Sequence, residues 1–146
     1  MIRDCVICDL LSGELEVSLV HRDELCAAFM DIQPITPGHM LVVPVRHSSS
    51  LAELNSQEGA QIFRIVQKLA DVLRKSSVRC EGVNLLLADG EAAGQEVFHT
   101  HLHVVPRYDG DGFGWKFPAS YPNRPERTEL DSIAGKICAL LQINPD

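Results

Sequence analysis

The sequence lacks the features of membrane, secreted and nucleic-acid-binding proteins. No apolar run approaches the roughly 20 residues of a membrane-spanning helix. Arg3, Asp4 and Asp9 interrupt the opening residues MIRDCVICDLLSGEL, and no apolar stretch there precedes a small-residue cleavage site. Thirteen Lys and Arg residues against twenty Asp and Glu give a net charge of −7, so the positive surface of a general nucleic-acid binder is missing. We therefore predict a cytoplasmic protein with neither a membrane nor a nucleic acid as partner.

The cysteine content also argues against a disulfide-bonded protein. Five cysteines are an odd number, and without a secretion signal they indicate free or metal-bound thiols rather than a disulfide framework. Cys5 and Cys8 form a Cys-x-x-Cys pair on a short predicted helical turn. Three interpretations remain open for this pair: two small buried hydrophobic residues, a redox motif whose usual parallel βαβ context is absent, or half of a zinc site that needs two further nitrogen ligands.

With 146 residues, 45% of them hydrophobic, the chain can bury the core of one ordinary globular domain. Alternation predicts strands over residues 16–21, 25–31, 39–45 and 82–88, with Phe29 and Asp31 on one face of the second strand. A long helix is predicted from Asn55 or Ser56, where Glu58 can complete a capping box, to about Ser76, with an apolar stripe facing the sheet. A final helix is predicted from Thr128. We predict an α+β fold: an antiparallel, meander-rich sheet of about five strands, with the long helix and the C-terminal helix docked on it by Ile133, Ile137, Leu140 and Leu141.

The most informative stretch is FHTHLHVVPR, residues 98–107. His99, His101 and His103 alternate with Thr100, Leu102 and Val104, a period of two that predicts a strand. We expect the three imidazoles to share one face, the three intervening residues to face the core, and the strand to end at Val105 and Pro106, since proline cannot donate to a sheet ladder.

Three interpretations of this strand remain open. It could be a solvated polar face that is rich in histidine, a metal site that requires a third ligand from elsewhere, or a site of nucleophilic catalysis by the central imidazole. The last predicts phosphate-binding chemistry nearby. The loop DGEAAGQ, residues 89–95, feeds into the histidines and could turn backbone N–H groups inward around an anion, although an ordinary hairpin connection would use glycine equally well.

The string from His99 to Val105 resembles the motif of the histidine triad (HIT) family, His-φ-His-φ-His-φ-φ, with Thr100 at a nominally apolar position. The segments GVNLLLADGEAAGQEVFHTHLHVVPR, AFMDIQPITPGHMLVVPVRH and CVICDLLSGE are similar to the family's blocks, in the same order and spacing. The resemblance covers most of residues 4–107. It implies a single HIT-like domain over residues 1–146, with a core at 4–107 and a C-terminal extension at 108–146.

The resemblance implies a homodimeric nucleotide hydrolase or nucleotidyl transferase acting on a purine nucleotide-type substrate, a dinucleoside polyphosphate or a nucleoside phosphoramidate. His101 would attack the α-phosphorus, giving a nucleotidyl-histidine intermediate that water hydrolyses to a nucleoside monophosphate, and activity would fall as imidazole is protonated. Its second nitrogen would donate to the carbonyl of His99, while His103 would donate to a non-bridging oxygen. The residues implied in nucleotide binding are Phe29, Asp31 (to the ribose hydroxyls), His103, and the amides of Gly94 and Gln95 (to the α-phosphate).

The resemblance further implies a structural zinc ion held by Cys5, Cys8, His47 and His99. Two positions depart from the family pattern. Ala88 stands where relatives carry asparagine or glutamine, and Glu96 stands where the phosphoramidase and dinucleoside polyphosphate branches carry serine or threonine, so the leaving group stays open. A nucleotide-binding regulatory protein with little turnover, and a zinc protein whose histidines are only ligands, are the alternatives.

Overall fold

The computed structural model describes residues 5–143. These residues form two compact units, which meet in the sequence between Phe113 and Gly114. The first unit contains helices α1 (Val6–Ser12) and α2 (Ser56–Lys75) and strands β1 (Leu19–Arg22), β2 (Cys26–Met30), β3 (Met40–Pro44), β4 (Gly82–Leu86) and β5 (Leu102–Arg107); the second contains helix α3 (Arg127–Ile143). No helix in residues 5–143 has the length and apolar character needed to cross a membrane.

All five strands form one antiparallel sheet in the order β1-β2-β3-β5-β4. The α+β class and the five-stranded antiparallel sheet are therefore as predicted, and β1 to β3 are the predicted meander. The second half of the sheet is not a simple meander. Helix α2 carries the chain past the next position to the far edge, and β5 returns between β3 and β4. The histidine-bearing strand is thus central in the sheet.

Helix α2 begins with the predicted capping box. The Asn55 side chain accepts from the Glu58 amide, and the Glu58 carboxylate accepts from the Asn55 amide. One face of α2 is buried against β2, β3 and β5, as the spacing predicts; its buried apolar residues are Ile62, Ile65, Val66, Leu69 and Leu73. Val72, 57% exposed, lies outside this face. Burying such a stripe is what stabilises a helix in water.

The opposite face of the sheet is covered by α1. Ile7 and Leu11 of α1 pack with Ala27, Phe29 and Val43 from β2 and β3. Cys5 is the N-cap of α1, its sulfur accepting the Cys8 N–H at 3.4 Å. Gly13 ends the helix in the left-handed conformation, with φ of 85°, which glycine adopts without a steric penalty. This short helix therefore fixes both thiols against the sheet.

Two predictions for the histidine strand are wrong. β5 begins at Leu102, so His99 to His101 precede it, and it continues through Pro106 to Arg107. β3 pairs only with Leu102–Val104, so beyond that point β4 is the one neighbouring strand that the structure records. Proline is tolerated in such an edge-like position, and the Pro106 carbonyl accepts from Thr36 Oγ1 at 2.5 Å.

In the second unit, α3 starts at Arg127, which places Thr128 inside its first turn rather than at the cap. Phe117 and Tyr121 stack before the helix, with ring centroids 4.1 Å apart. Four apolar residues of α3 are exposed, and the docking predicted for them stays a prediction: Ile133, Ile137, Leu140 and Leu141. An amphipathic pattern identifies a helix face but not what covers it.

Candidate functional site

A cavity of about 620 Å³ lies on the α1 side of the sheet. This volume is within the range of small-molecule sites. Apolar side chains from α1, β2 and β3 form one wall, among them Leu10, Phe29 and Leu41. Polar groups converge on the remainder, including Asp31, Gly94, Glu96, His101 and His103. The sequence pattern correctly brings Phe29, Asp31 and two of the three histidines to one side of the sheet.

The orientation of His101 is fixed by the backbone. Its Nδ1–H donates to the carbonyl oxygen of His99 at 2.6 Å, which is the bond the family resemblance implies. Since Nδ1 carries the proton, neutral His101 has its lone pair on Nε2. Nε2 has no hydrogen-bond partner within residues 5–143, and His101 lines the cavity. This nitrogen is available as a nucleophile.

A second histidine, His39, determines the tautomer of His103. The Ile35 N–H donates to His39 Nδ1 at 3.1 Å, so neutral His39 carries its proton on Nε2. That Nε2–H lies 2.9 Å from His103 Nδ1 and donates to it. His103 must then carry its own proton on Nε2, as a donor. Asp31 Oδ2 lies 3.5 Å from His39 Nε2 and 4.0 Å from His103 Nδ1.

His39 is not among the site residues predicted from the sequence, because its role depends on the pairing of β3 with β5, which places Leu41 opposite His103. The residue is 2% exposed. A buried polar ring needs partners, but the sequence around His39 does not show that it is buried. Knowledge of the strand order would have revealed it.

Burial keeps both of these histidines neutral. The pKa of His103 is lowered to about 4, mainly by burial and then by the neighbouring His101 and His39, against an opposing effect of Asp31. Burial also lowers the pKa of His39, against an opposing effect of Asp31. At neutral pH the pair is therefore a hydrogen-bonded chain of uncharged rings.

These shifts predict a pH-dependent stability. Between pH 6.5 and about 4 the unfolded chain protonates His103 while the folded chain does not, so the unfolded state binds more protons. The free energy of unfolding should fall by roughly 2–3 kcal/mol over this window from His103 alone, and this contribution is fully present above pH 6.5. Urea unfolding of the metal-free protein at pH 7 and pH 4 would measure it. The His103→Gln variant should lose less stability than the wild type; equal losses would contradict the prediction.

In the loop before the histidines, the two amides that are expected to bind phosphate donate to other groups of the loop. The Gly94 amide donates to the Glu91 carbonyl at 2.9 Å and the Gln95 amide to the Gly90 carbonyl at 3.2 Å. The buried Gln95 side chain accepts from the Gly90 amide and donates to the Ser49 carbonyl, both at 2.7–2.8 Å. Gly94 lines the cavity and Gln95 does not. These two amides hold the loop together, so their phosphate-binding role stays a prediction that requires their present bonds to open.

The backbone amides of the next two residues are better placed to bind an anion. Within the described residues, the N–H groups of Glu96 and Val97 have no hydrogen-bond acceptor. Both residues line the cavity together with His101 and His103. Free backbone N–H groups beside a nucleophile can stabilise negative charge on an oxygen.

The two carboxylate oxygens of Asp31 have different neighbours. Oδ1 accepts the Gln33 amide at 2.8 Å, which is the turn role that its position suggests. Oδ2 faces His39 and His103. Phe29 is 3% exposed and forms part of the apolar wall. Their implied roles toward ribose and nucleotide remain predictions. Ala88, beyond the end of β4, does not line the cavity.

His99 does not share the cavity with the other two histidines. It is fully buried and lies with Cys5, Cys8 and His47, whose ligand atoms are all within 4.8 Å of one another. The measured Sγ to Nδ1 distances are 3.5 Å for Cys5 with His99, 3.6 Å for Cys8 with His99 and 3.4 Å for Cys8 with His47. His99 therefore does not line the cavity with His101 and His103, and its ring belongs to the cluster with Cys5, Cys8 and His47 instead.

This geometry fits a tetrahedral metal ion. With zinc bonds of about 2.3 Å to sulfur and about 2.0–2.1 Å to nitrogen, adjacent sulfur and nitrogen ligands lie about 3.5 Å apart. His99 Nε2–H donates to the Pro44 carbonyl at 2.9 Å, which leaves Nδ1 unprotonated and directed to the cluster. The four residues can therefore hold a metal ion, and two neutral imidazoles with two thiolates are a ligand set that suits zinc.

Two other groups in the described part of the chain bring possible ligands together. His21, Asp23 and Cys26 form one, and Asp31, His39 and His103 form the other. In each, short bonds within the group already occupy the polar atoms, for example 2.8 Å from His21 to Asp23. The four-residue cluster is distinct because its spacing matches the edges of a coordination tetrahedron.

Comparison with known proteins agrees with the fold. A family model described as "HIT domain" matches residues 12–110. The chain is 38% identical to "Protein hit" of Bacillus subtilis over 142 residues, covering 95% of each protein. It is 31% identical to "Adenylylsulfatase HINT3" of Arabidopsis thaliana over 140 residues, 96% of this chain and 68% of that protein.

Solved structures agree as well. A HIT family protein from Bacillus anthracis superposes with a TM-score of 0.85 at 35% identity, covering 95% of this chain and 98% of that one. A "ZN-bound histidine triad family protein" from Mycobacterium smegmatis gives 0.73 at 36% identity, covering 86% of each. A "histidine triad nucleotide-binding protein" from Candida albicans gives 0.84 at 28% identity, covering 97% of this chain and all of that one.

Proposed function

The chain belongs to the histidine triad family, and we propose that it is a nucleotide hydrolase in which His101 attacks the α-phosphorus of a nucleoside phosphate derivative. Nucleotide binding or hydrolysis is what the family relationship implies, and one relative is an adenylylsulfatase by name. In the proposed reaction a nucleotidyl-His101 intermediate forms as the leaving group departs. Water then cleaves it to a nucleoside monophosphate.

The observation that carries the proposal is the state of His101. Its Nδ1–H bond to the His99 carbonyl leaves Nε2 unprotonated and without a partner on the cavity wall. Covalent catalysis by an imidazole needs the free lone pair.

Groups around His101 suit the charge that develops in phosphoryl transfer. Nε2–H of His103 is held as a donor by His39, and the amides of Glu96 and Val97 are free. We propose that these three N–H groups bind the non-bridging oxygens, while Asp31 binds the ribose and the wall that includes Phe29 binds a purine base. Because the donors are fixed before substrate binds, little reorganisation is needed.

The proposal is tested by trapping the intermediate. Wild-type protein would be mixed with an adenosine 5′-phosphoramidate or a diadenosine polyphosphate, quenched without acid, and its intact mass measured. We expect one added nucleotidyl group on the wild type and none on His101→Ala, with release of adenosine monophosphate by the wild type only. Nucleotide binding without adduct or monophosphate would instead support the alternative, a nucleotide-binding regulatory protein with little turnover.

His39 gives a prediction of its own. The His39→Leu variant removes the donor to His103 Nδ1, so His103 is no longer confined to the tautomer that donates from Nε2. We expect turnover to fall about tenfold, the cost of one weakened hydrogen bond to charge in the transition state. Imidazole ¹⁵N chemical shifts should show a mixture of His103 tautomers. A fall in turnover with an unchanged His103 tautomer would contradict this explanation.

We also propose that Cys5, Cys8, His47 and His99 bind one structural zinc ion. The proposal is supported by the tetrahedral spacing of the ligand atoms and by a zinc-bound relative. Four protein ligands leave no open position, so zinc here would join α1 to the residues that precede β5. This arrangement leaves His101 free, unlike the alternative in which the triad only binds metal. Elemental analysis of purified protein should find one zinc ion per chain.

A homodimer is part of the proposal. β4 is an edge strand of the sheet and unpaired edges favour association. Beside it, the exposed side chains of Leu51, Phe63 and Leu85 line an apolar groove of about 240 Å³. Pairing of β4 between two copies would cover both features, and sedimentation velocity would show whether the protein has twice the mass of one chain.

A further inference from the structure

The backbone around His101 is not held by strand pairing. The pairing of β5 with β3 begins at Leu102, and its pairing with β4 begins at His103. In the part of the chain that the structure describes, neither ladder includes Thr100 or His101. A nucleophile must be closely aligned with the bond that it attacks, and a small displacement can cost much of the rate. Another contact must therefore fix this segment.

This contact is a pair of buried hydrogen bonds between Thr100 and Ser48, which we call the Ser48–Thr100 clamp. The Thr100 N–H donates to the Ser48 carbonyl oxygen at 2.6 Å, and the Thr100 hydroxyl donates to the same oxygen at 3.0 Å. The two donors occupy both lone pairs of that oxygen. The Ser48 hydroxyl in turn donates to the Ser50 carbonyl at 2.9 Å, which holds the segment that carries the acceptor. Ser48 is fully buried and Thr100 is 3% exposed, so water does not compete for these bonds.

The clamp acts on His101 through the peptide unit that joins His99 to Thr100. The N–H of this unit is bound to Ser48, and its C=O accepts from His101 Nδ1 at 2.6 Å. A peptide unit is planar, and in the trans form found throughout the described residues its N–H and C=O point in opposite directions. Rotation of the unit would break both bonds together. Holding the N–H on Ser48 therefore holds the carbonyl toward the imidazole.

We infer that Thr100 is a positioning residue: with the Ser48 carbonyl it fixes the peptide unit that orients His101, so that the Nε2 lone pair stays available to the cavity. The inference rests on the proposed function and extends it to a residue outside the wall of the cavity of about 620 Å³. The motif of the family has an apolar residue at this position, which could make only the backbone bond. Threonine adds a second bond to the same acceptor.

The test removes the hydroxyl while nearly keeping the shape of the side chain. Thr100→Val retains the branched side chain and the backbone N–H but loses the bond from Oγ1. With an adenosine 5′-phosphoramidate, we expect the single-turnover rate of adduct formation at His101 to fall about tenfold, because the nucleophile is less well aligned. The Kd of adenosine monophosphate should change by less than about twofold. Thr100→Ser keeps the hydroxyl and should restore the rate to within about threefold of the wild type.

A measurement without substrate reports the orientation of His101 itself. At about pH 8 the imidazole ¹⁵N chemical shifts of the wild type should show one His101 tautomer, with the proton on Nδ1, because the His99 carbonyl accepts it. Thr100→Val should show a mixture of both tautomers, and Thr100→Ser should not. A loss of stability alone would leave the folded protein with the wild-type tautomer, so this measurement separates positioning from stability.

Thr36→Val is the matched control. Thr36 is also buried, and its hydroxyl donates to the Pro106 carbonyl at 2.5 Å, near the other end of β5. This variant should lose a similar amount of stability in urea unfolding but keep the rate of adduct formation and the single His101 tautomer. A wild-type rate or a single His101 tautomer in Thr100→Val, or an equal loss of rate in Thr36→Val, would overturn the inference.

A further variant covers the case in which Thr100→Val does not fold. Ser48→Ala loses only the bond to the Ser50 carbonyl, and it should show the same changes to a smaller degree; no change in this variant would also overturn the inference. If the wild type forms no adduct, the proposed function fails, whereas the tautomer measurement still decides whether the clamp orients His101.

Discussion

Replacing His101 with glycine is expected to lower turnover at least a thousandfold while nucleotide affinity changes by less than about threefold. The reason is that the variant removes the nucleophile but not the surrounding donors, which include the His103 side chain and the free amides of the loop. Loss of a covalent nucleophile commonly costs several orders of magnitude in rate. Single-turnover kinetics and equilibrium binding of a nucleoside monophosphate would measure the two quantities separately.

Added imidazole gives this experiment a sharper result. The cavity vacated by the side chain in His101→Gly could admit free imidazole, and part of the lost rate should return with its concentration if His101 acts as the nucleophile. His21→Gly is the control, because His21 lies on β1 and does not line the cavity; its turnover should be close to wild type and indifferent to imidazole. A His101→Gly protein that keeps a tenth or more of the wild-type rate would rule out His101 as the nucleophile.

Removal of the metal proposed at Cys5, Cys8, His47 and His99 is expected to lower the midpoint of thermal unfolding by about 10 °C. A ligand that binds only the folded chain stabilises it by about 4 kcal/mol at a thousand times its Kd, and in a chain of this size 1 kcal/mol corresponds to about 2–4 °C. The four ligands come from α1, the end of β3 and the segment before β5, so they are assembled only in the folded protein. Differential scanning calorimetry before and after chelation would measure the shift.

Cysteine variants identify the site responsible. Cys8→Ser should bind less than one metal ion per chain and unfold near the temperature of the chelated wild type. Cys138→Ser is the matched control, since Cys138 is exposed on α3, and it should keep both its metal content and its unfolding temperature. Equal midpoints for the native and chelated wild type would refute a stabilising metal at these four residues.

Local sequence rules predicted much of the fold. The Asn55 and Glu58 capping box, the apolar stripe of α2 and the alternation in β2 and β3 depend on neighbours within a few residues, and the structure has all of them. The residues of the four-ligand cluster were also named in advance, but from family resemblance. The Cys5 and Cys8 spacing alone left three interpretations open.

What could not be predicted depends on contacts between distant segments. The strand order that brings β3 beside β5 is set by the crossover through α2, and only this order makes His39 the partner of His103. Alternation also predicts that His99 and His101 lie within the strand, whereas β5 begins after His101. The free amides could not be predicted either. The hydrogen bonds within the loop decide which N–H groups remain available, and these bonds cannot be read from the residue types.

The place of β5 in the sheet has a consequence for how the protein folds. His39 and His103 are 64 residues apart in the chain, and Cys5 and His99 are 94 apart. Closing loops of this length is a late and entropically costly event in folding. Nascent chains that end before residue 99 therefore lack residues of both sites. Substrate or metal can stabilise the structure only after the chain has folded. β5 is the last strand of the sheet along the chain, so neither group of residues can assemble before this strand has been synthesised.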